Sequence, residues 1–324
     1  MEWYANLGDR WHPTVAAKSS IYKDEFGEHQ FGPNANSPRS MAMGSLLYDV
    51  FNHLTLDAQL APYAHSERDL LMQHLNRVKK GDILLLDRGY PSFWLLFLLK
   101  AKGIEFCVRL KDNWWLKVKD FTESNEQERL VTFTLPKKDY KKLAEYPDMQ
   151  EATITCRLIK IVLPDGTIEV LCTSLVDSEK YSFEEMKELY HYRWNVEEAY
   201  KLLKSRIEIE DFSGKTARAV RQDFHAKVLL MTLCAAYAFP IEQKVIAEYK
   251  ADETRKYAQK INRTNALSTT MEILVETFIK NNIVRALSAF DQIVENTREI
   301  IRPNRKVPRN HRQKKPYSMN YKQL

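Results

Sequence analysis

Two carboxylates stand where carboxylate chemistry could be done. Asp87 follows the aliphatic run Ile83, Leu84, Leu85 and Leu86 and precedes Arg88, Gly89, Tyr90 and Pro91. An uninterrupted aliphatic run bounded by turn residues suits a strand buried on both faces, as in the parallel part of an α/β sheet, so Asp87 is expected at that strand's C-terminal end. Glu197 belongs to the segment YHYRWNVEEAYKLLK, residues 190–204. On a helical wheel at about 100° per residue, Tyr190, Arg193, Glu197, Lys201 and Lys204 fall within an arc of roughly 80°. Leu189, Val196 and Leu203, spaced by seven, form an adjoining apolar stripe. One helix thus presents a carboxylate among cations beside a face that buries itself. Each feature also has an ordinary reading. Glu197 with Lys201 at i,i+4 is a common surface ion pair, worth about 0.2–0.5 kcal/mol, and a strand-end Asp can simply cap the turn after it. The joint occurrence of the two is what sets catalysis against those readings.

The elements that must position these residues follow from the pattern around them. Residues 1–40 carry two Phe-Gly pairs, Pro33 and Pro38 without sustained periodicity and read as largely loop. Strand-length segments around Ser45–Val50 and Leu54–Leu60 form an expected hairpin. Ser66 with Asp69 makes a capping-box start for a helix that Gly81 stops, and a second helix over 91–102 ends at Gly103. With the strand at 83–86 and another at 104–110, the unit reads α-β-α-β. From 113 to 178 the pattern turns to strands, at Trp115–Val118, Leu130–Thr134, Ala152–Leu158 and a hairpin across Pro164-Asp165-Gly166. Helical periodicity resumes at Ser182, which forms a second capping box with Glu185, and persists to about residue 298.

At 324 residues with 44% hydrophobic content, the chain can bury a substantial core as one large domain or two ordinary ones. Its four cysteines are far apart with no CxxC pair, so neither a zinc site nor a disulfide framework is indicated. No run of eighteen apolar residues and no signal-like N-terminus occur, and the expectation is a cytoplasmic protein with no membrane partner. The net charge of +6 is concentrated at the end. Residues 300–324 carry Arg302, Arg305, Lys306 and further basic residues with no acidic one. Such a tail is either an extended phosphate-binding arm or a solubilising one.

Asp87 within Asp-Arg-Gly-Tyr, a long β-rich stretch, and a Tyr-x2-Arg-x3-Glu-x6-Lys signature met by Tyr190, Arg193, Glu197 and Lys204 together resemble the DDE transposases of the Insertion Sequence 4 family. Tyr48-Asp49-Val50, Ser66-Glu67-Arg68 and Gln222-Asp223-Phe224 resemble further blocks of that family, so the likeness runs from about residue 24 to the C-terminus. The resemblance implies an α/β fold with an RNase H-like core, a β-rich insertion and a helical C-terminal region. The chain then divides into an irregular, incomplete N-terminal part (1–40), the first part of the core (41–112), the insertion (113–178), the helices from the catalytic Glu onward (179–298) and the basic tail (299–324). Asp87 and Glu197 would be the second and third of three carboxylates holding two Mg²⁺ or Mn²⁺ ions. Hard oxygen ligands suit such cations, and a metal pair can activate the entering oxygen and stabilise the departing one in phosphodiester attack. Arg193 and Lys204 would grip phosphates, Tyr190 would position the DNA end, and Lys201 and the arm at Arg302, Arg305 and Lys306 would add DNA contacts. Partners would be the terminal repeats and target DNA, in a synaptic homodimer.

The family's first Asp ends an aliphatic strand in an apolar-apolar-Asp-Gly context, and no such string occurs here. Asp9, followed by Arg10, is the candidate, and no aliphatic strand precedes it. The competing expectation is a chain that lacks the N-terminal DNA-binding region and the segment around the first strand. The functional expectation is metal-dependent DNA cleavage and strand transfer at insertion-sequence ends, against a non-catalytic DNA-binding remnant and an RNase H-like nuclease of another kind.

Overall fold

The computed structural model describes residues 3–9, 24–29, 39–111, 115–146, 153–214, 216–252 and 254–302. Two compact units divide the chain: residues 1–11, 43–51 and 56–199 in the first, and 12–42, 52–55 and 200–324 in the second.

The first unit is organised by an eight-stranded mixed sheet. Its strands are β1 (Trp3–Asp9), β2 (Ala42–Asp49), β3 (Leu54–Pro62), β4 (Ile83–Leu86), β5 (Glu105–Leu110), β6 (Glu128–Thr134), β7 (Thr153–Val162) and β8 (Ile168–Thr173). They lie in the order β3-β2-β1-β4-β5-β8-β7-β6. The centre is parallel: β1 runs with β4, Asn6 opposite Leu86, and β4 runs with β5, Leu86 opposite Val108. β1 pairs antiparallel with β2, and β8 closes antiparallel on β5. All four residues of β4 are buried, as expected of a central parallel strand with both faces covered. The strands of the β-rich segment are no separate layer, since they extend the central sheet by three.

The segment 3–9 departs from the expected loop. Trp3–Asp9 is a strand that occupies the central place between β2 and β4, and Asp9 ends it opposite Gly44. Asn6 and Gly8 break any hydrophobic alternation in this stretch. Hydrogen-bonded neighbours on both sides compensate, because they satisfy its backbone whatever its side-chain pattern.

Helices α1 (Glu67–His74), α2 (Phe93–Ala101), α3 (Leu116–Glu123), α4 (Phe183–His191) and α5 (Trp194–Ser205) follow in chain order, with Ala199 ending the first unit inside α5. Both capping boxes are formed, at Ser66 with Asp69 and at Ser182 with Glu185. Gly81 and Gly103 take positive φ at the expected stops, where a residue with a Cβ would be strained. The sequence around Trp115–Val118 folds as the start of α3, not as a strand, with Val118 and Phe121 buried at helical spacing. One core joins Leu84, Leu86, Leu95, Leu99, Phe106, Val108, Phe121 and Phe133.

α1 is fastened to the sheet by a buried polar chain. His74 lies fully buried, with Nδ1 2.7 Å from Asp57 Oδ2 and Nε2 3.0 Å from Ser45 Oγ. Burial would raise the Asp57 pKa, but hydrogen bonds from His74 and Gln59 outweigh it and hold the carboxyl below its ordinary range. A depressed carboxylate pKa contributes stability that is present above the unfolded value and lost as pH falls through the folded one. Asp57→Asn is therefore expected to be less stable than the wild type at neutral pH, with the difference closing below about pH 4. Urea unfolding at pH 7 and pH 3 checks this, and a gap that is constant between them would contradict it.

The second unit contains α6 (Ala217–Ala251), α7 (Arg263–Phe278) and α8 (Ile283–Asn296). α6 is long and apolar enough to cross a membrane, yet Val220, Phe224, Val228, Met231, Ala235, Ala238, Ile241 and Val245 are buried along it. That recurrence every three or four residues is the stripe of a core helix.

Candidate active site

Asp87 stands immediately after β4, half-buried, in a turn organised by its own backbone and side chain. Its Oδ1 accepts the Gly89 N–H at 2.6 Å, and its carbonyl accepts from Tyr90 N at 3.2 Å. The turn-capping contact is thus present, and it engages one carboxylate oxygen. Gly89 is placed so that a Cβ would lie 2.9 Å from Glu67 Oε2 and 3.1 Å from Asp87 Oδ1.

The signature segment is not one uninterrupted helix. α4 ends at His191, α5 begins at Trp194, and Tyr192 and Arg193 form a turn between them. Arg193 N bonds to Tyr190 O and Val196 N to Arg193 O, contacts of i to i−3 type that tighten the chain. The single wheel spanning Tyr190 to Lys204 therefore does not describe the structure. Tyr190 sits on α4, Arg193 in the break, and Glu197, Lys201 and Lys204 on α5.

A chain of contacts connects the end of β4 with α5. Tyr190, 3% exposed, donates its hydroxyl to Leu86 O at 3.3 Å. Burial is the main cause that pushes the Tyr190 phenol up, and the nearby Asp87 carboxylate adds to it while Arg193 and Arg109 oppose. The Arg193 guanidinium lies 5.6 Å from the Tyr190 ring and 5.0 Å from the Trp194 ring. Its Nη2 donates to Glu197 Oε1 at 2.9 Å. The i,i+4 ion pair of Glu197 thus runs back to Arg193. Arg193 is 1% exposed, and among the described residues its Nε and Nη1 have no hydrogen-bond partner, an expensive state for buried donors.

Two further arginines border Asp87, and sequence reasoning missed both. Arg109 lies one residue beyond the Leu86–Val108 pairing, beside Asp87 in parallel register. Its Nη1 donates to Glu169 Oε1 at 2.6 Å. Burial works against its charge, but Tyr190, Glu169 and Asp87 outweigh it and raise the guanidinium above its ordinary value. Arg68 on α1 donates from Nε to Tyr90 O at 2.9 Å and from Nη2 to Gly89 O at 3.0 Å. Strand register could have flagged Arg109, and Arg68 stood in the Ser66-Glu67-Arg68 block without a role assigned to it.

The remaining expected residues are distributed as follows. Asp9 ends β1 three positions past the Asn6–Leu86 pairing. Lys201 is exposed and Lys204 half-buried, and Arg302 is exposed, while Arg305 and Lys306 lie outside the described residues. Trp115 stacks on Phe93 with ring centroids 4.1 Å apart and packs against the core. Trp194 is 45% exposed. Among the described residues no group of three or more Asp, Glu, His or Cys side chains forms a ready metal cluster.

The family model described as transposase DDE domain matches residues 16–233, and the chain belongs to that family. Asp87 and Glu197 fall within the match and Asp9 lies before it. Among curated proteins, transposase InsG for insertion sequence element IS4 of Escherichia coli strain K12 is 24% identical over 162 residues. That alignment covers 49% of this chain and 35% of the relative, so the chain spans about a third of the length of the protein it matches. A solved structure of piggyBac transposase, in a synaptic complex with hairpin DNA, aligns over 91% of this chain and 57% of its own, at 8% identity and a TM-score of 0.49.

Proposed function

We propose that this chain cleaves and rejoins DNA at insertion-sequence ends, with Asp87 and Glu197 as ligands of a divalent-metal pair and Asp9 as the first carboxylate of the set. The observation that carries the reading is the linkage Leu86–Tyr190–Arg193–Glu197, which joins the peptide preceding Asp87 to the carboxylate of Glu197. The strand order β3-β2-β1-β4-β5 is read as an RNase H-like core, with β1 and β4 adjacent and parallel and an acid at the end of each.

The donor chemistry fits Mg²⁺ or Mn²⁺. Asp87 has one oxygen fixed by Gly89 N–H, and its Oδ2 has no hydrogen-bond partner among the described residues. Carboxylate oxygens are the hard ligands such ions prefer. Bound there, a metal pair would supply activation of the attacking oxygen and stabilisation of the leaving one. The protein's own groups do the rest. Arg193 orients Glu197 through Nη2, and at 1% exposure it acts as a buried support for that carboxylate rather than as a phosphate grip. Tyr190, its hydroxyl directed to Leu86 O, positions by fixing the strand end. Lys201 and Lys204, with the arm at Arg302, Arg305 and Lys306, neutralise the DNA backbone. The partner is double-stranded DNA in the bacterial cytoplasm, bound by a synaptic homodimer.

The test is nicking of a supercoiled plasmid carrying the DNA that flanks the gene, with Mn²⁺, in the wild type and Asp87→Asn. Metal-dependent nicking is expected, reduced at least about a thousandfold by the substitution. DNA retention without nicking, the same in both proteins, would make the chain a non-catalytic DNA-binding remnant instead.

A further inference from the structure

We infer that Arg68 is a positioning residue for Asp87, its guanidinium fixing the 89–91 backbone so that the Asp87 carboxylate keeps one oxygen on Gly89 and turns the other outward. This inference rests on the reading of Asp87 as a metal ligand. Arg68 reaches three successive carbonyls from one side chain: Tyr90 O from Nε at 2.9 Å, and Gly89 O and Pro91 O from Nη2 at 3.0 and 3.5 Å. A guanidinium carries only donors, in a planar fork, so it can hold adjacent carbonyls at set directions where a lysine ammonium on a flexible stem cannot. Tyr90 N is committed to Asp87 O and the Tyr90 side chain is buried in the core, so Arg68 bonds the carbonyls of a turn already anchored at its far end. Arg68 holds the Gly89–Tyr90 peptide through Gly89 O, and the Gly89 N–H, one Cα away on the preceding peptide, sits 2.6 Å from Asp87 Oδ1. The carboxylate thus leans on the N–H of a residue whose carbonyl Arg68 holds.

The device has a rigid base and no slack at its tip. α1, which carries Arg68, starts on a two-way capping box and is tied to β2 and β3 through His74, Ser45 and Asp57. At the tip, a Cβ on Gly89 would meet Glu67 Oε2 at 2.9 Å and Asp87 Oδ1 at 3.1 Å, so any side chain there must displace a carboxylate. Arg68 and Glu67 are consecutive on α1, and the turn of Asp87 is held from one side by the first and crowded from the same side by the second.

Mn²⁺ titration of the full chain, with free Mn²⁺ read by electron paramagnetic resonance, tests this in the wild type, Arg68→Lys, Arg68→Ala, Gly89→Ala and Asp87→Asn. Groups that orient a ligand typically account for about 10–100-fold in metal affinity. Arg68→Ala and Gly89→Ala are expected to weaken Mn²⁺ binding by about tenfold or more, with Arg68→Lys intermediate and metal-free melting midpoints of Arg68→Lys and Gly89→Ala near the wild type. If Arg68→Ala does not fold, Arg68→Lys and Gly89→Ala carry the measurement. Wild-type affinity in Arg68→Lys and Gly89→Ala, while Asp87→Asn fails to bind, would overturn the positioning role and leave the site standing. Wild-type affinity in Asp87→Asn would remove the site and the positioning role with it.

Discussion

Glu197→Ala is expected to abolish DNA cleavage and to destabilise the protein, whereas Glu197→Gln is expected to abolish cleavage with much less destabilisation. The two effects have different origins. On the proposed metal set, cleavage is lost in both because the anionic oxygens that would hold a divalent ion are gone, and a loss of at least about 10³-fold is expected. The stability effect arises at Arg193. That guanidinium is 1% exposed, with Nε and Nη1 lacking partners among the described residues and Nη2 on Glu197 Oε1. Truncation to alanine removes its one carboxylate and leaves a buried cation uncompensated, which costs about 3–5 kcal/mol for a fully buried pair. Glu197 is 33% exposed, so screening reduces the expected loss to about 1–3 kcal/mol. Glutamine keeps an acceptor oxygen on Nη2 and recovers most of this. Cleavage of a cognate end, together with urea midpoints for the three proteins, separates the two roles. Retention of more than a tenth of wild-type cleavage by Glu197→Gln would remove Glu197 from the metal set.

Local signals in the sequence foretold the parts of the fold that local physics decides. The aliphatic run before Asp87 specifies a doubly buried strand by itself, and the capping pairs Ser66/Asp69 and Ser182/Glu185 each announce a helix start without tertiary help. Gly166 at positive φ closes the expected hairpin for the same reason. The misses are non-local. Trp3–Asp9 is a strand because β2 and β4 flank it, and its own pattern, with Asn6 and Gly8, contains nothing to say so. The run Trp115–Val118 is too short for a period of two to be told from a helix, and the burial of Phe121 with Val118 selects the helix. The break at Tyr192 and Arg193 is invisible to a wheel that assumes constant rotation. Arg68 and Arg109 come to Asp87 from α1 and β5, through contacts that span some twenty residues of chain.

Arg157→Ala is expected to be among the most destabilising single substitutions in the first unit, yet to leave chemistry intact in the molecules that remain folded. Arg157 is 2% exposed on β7. Its Nη1 donates to Tyr181 O at 2.5 Å, and its Nη2 pairs with Glu128 on the neighbouring edge strand β6. Tyr181 immediately precedes Ser182, the N-cap of α4, so one guanidinium joins the far end of the sheet to the start of the helix that carries Tyr190. Alanine leaves a cavity, a carbonyl without its donor and a carboxylate without its cation, for an expected loss of about 3–5 kcal/mol. Arg157→Met with Glu128→Gln fills the space and removes the uncompensated charge, so the double variant should recover more than half of that loss. Guanidinium chloride unfolding with an unchanged m-value measures both, and a loss below about 1 kcal/mol in Arg157→Ala would show that the pair does not hold this corner. The contrast with Glu197 is then physical. Arg157 acts at the N-terminus of α4, two helical turns from Tyr190, whose hydroxyl stays on Leu86 O, so well below the melting midpoint cleavage by Arg157→Ala should stay within about threefold of the wild type.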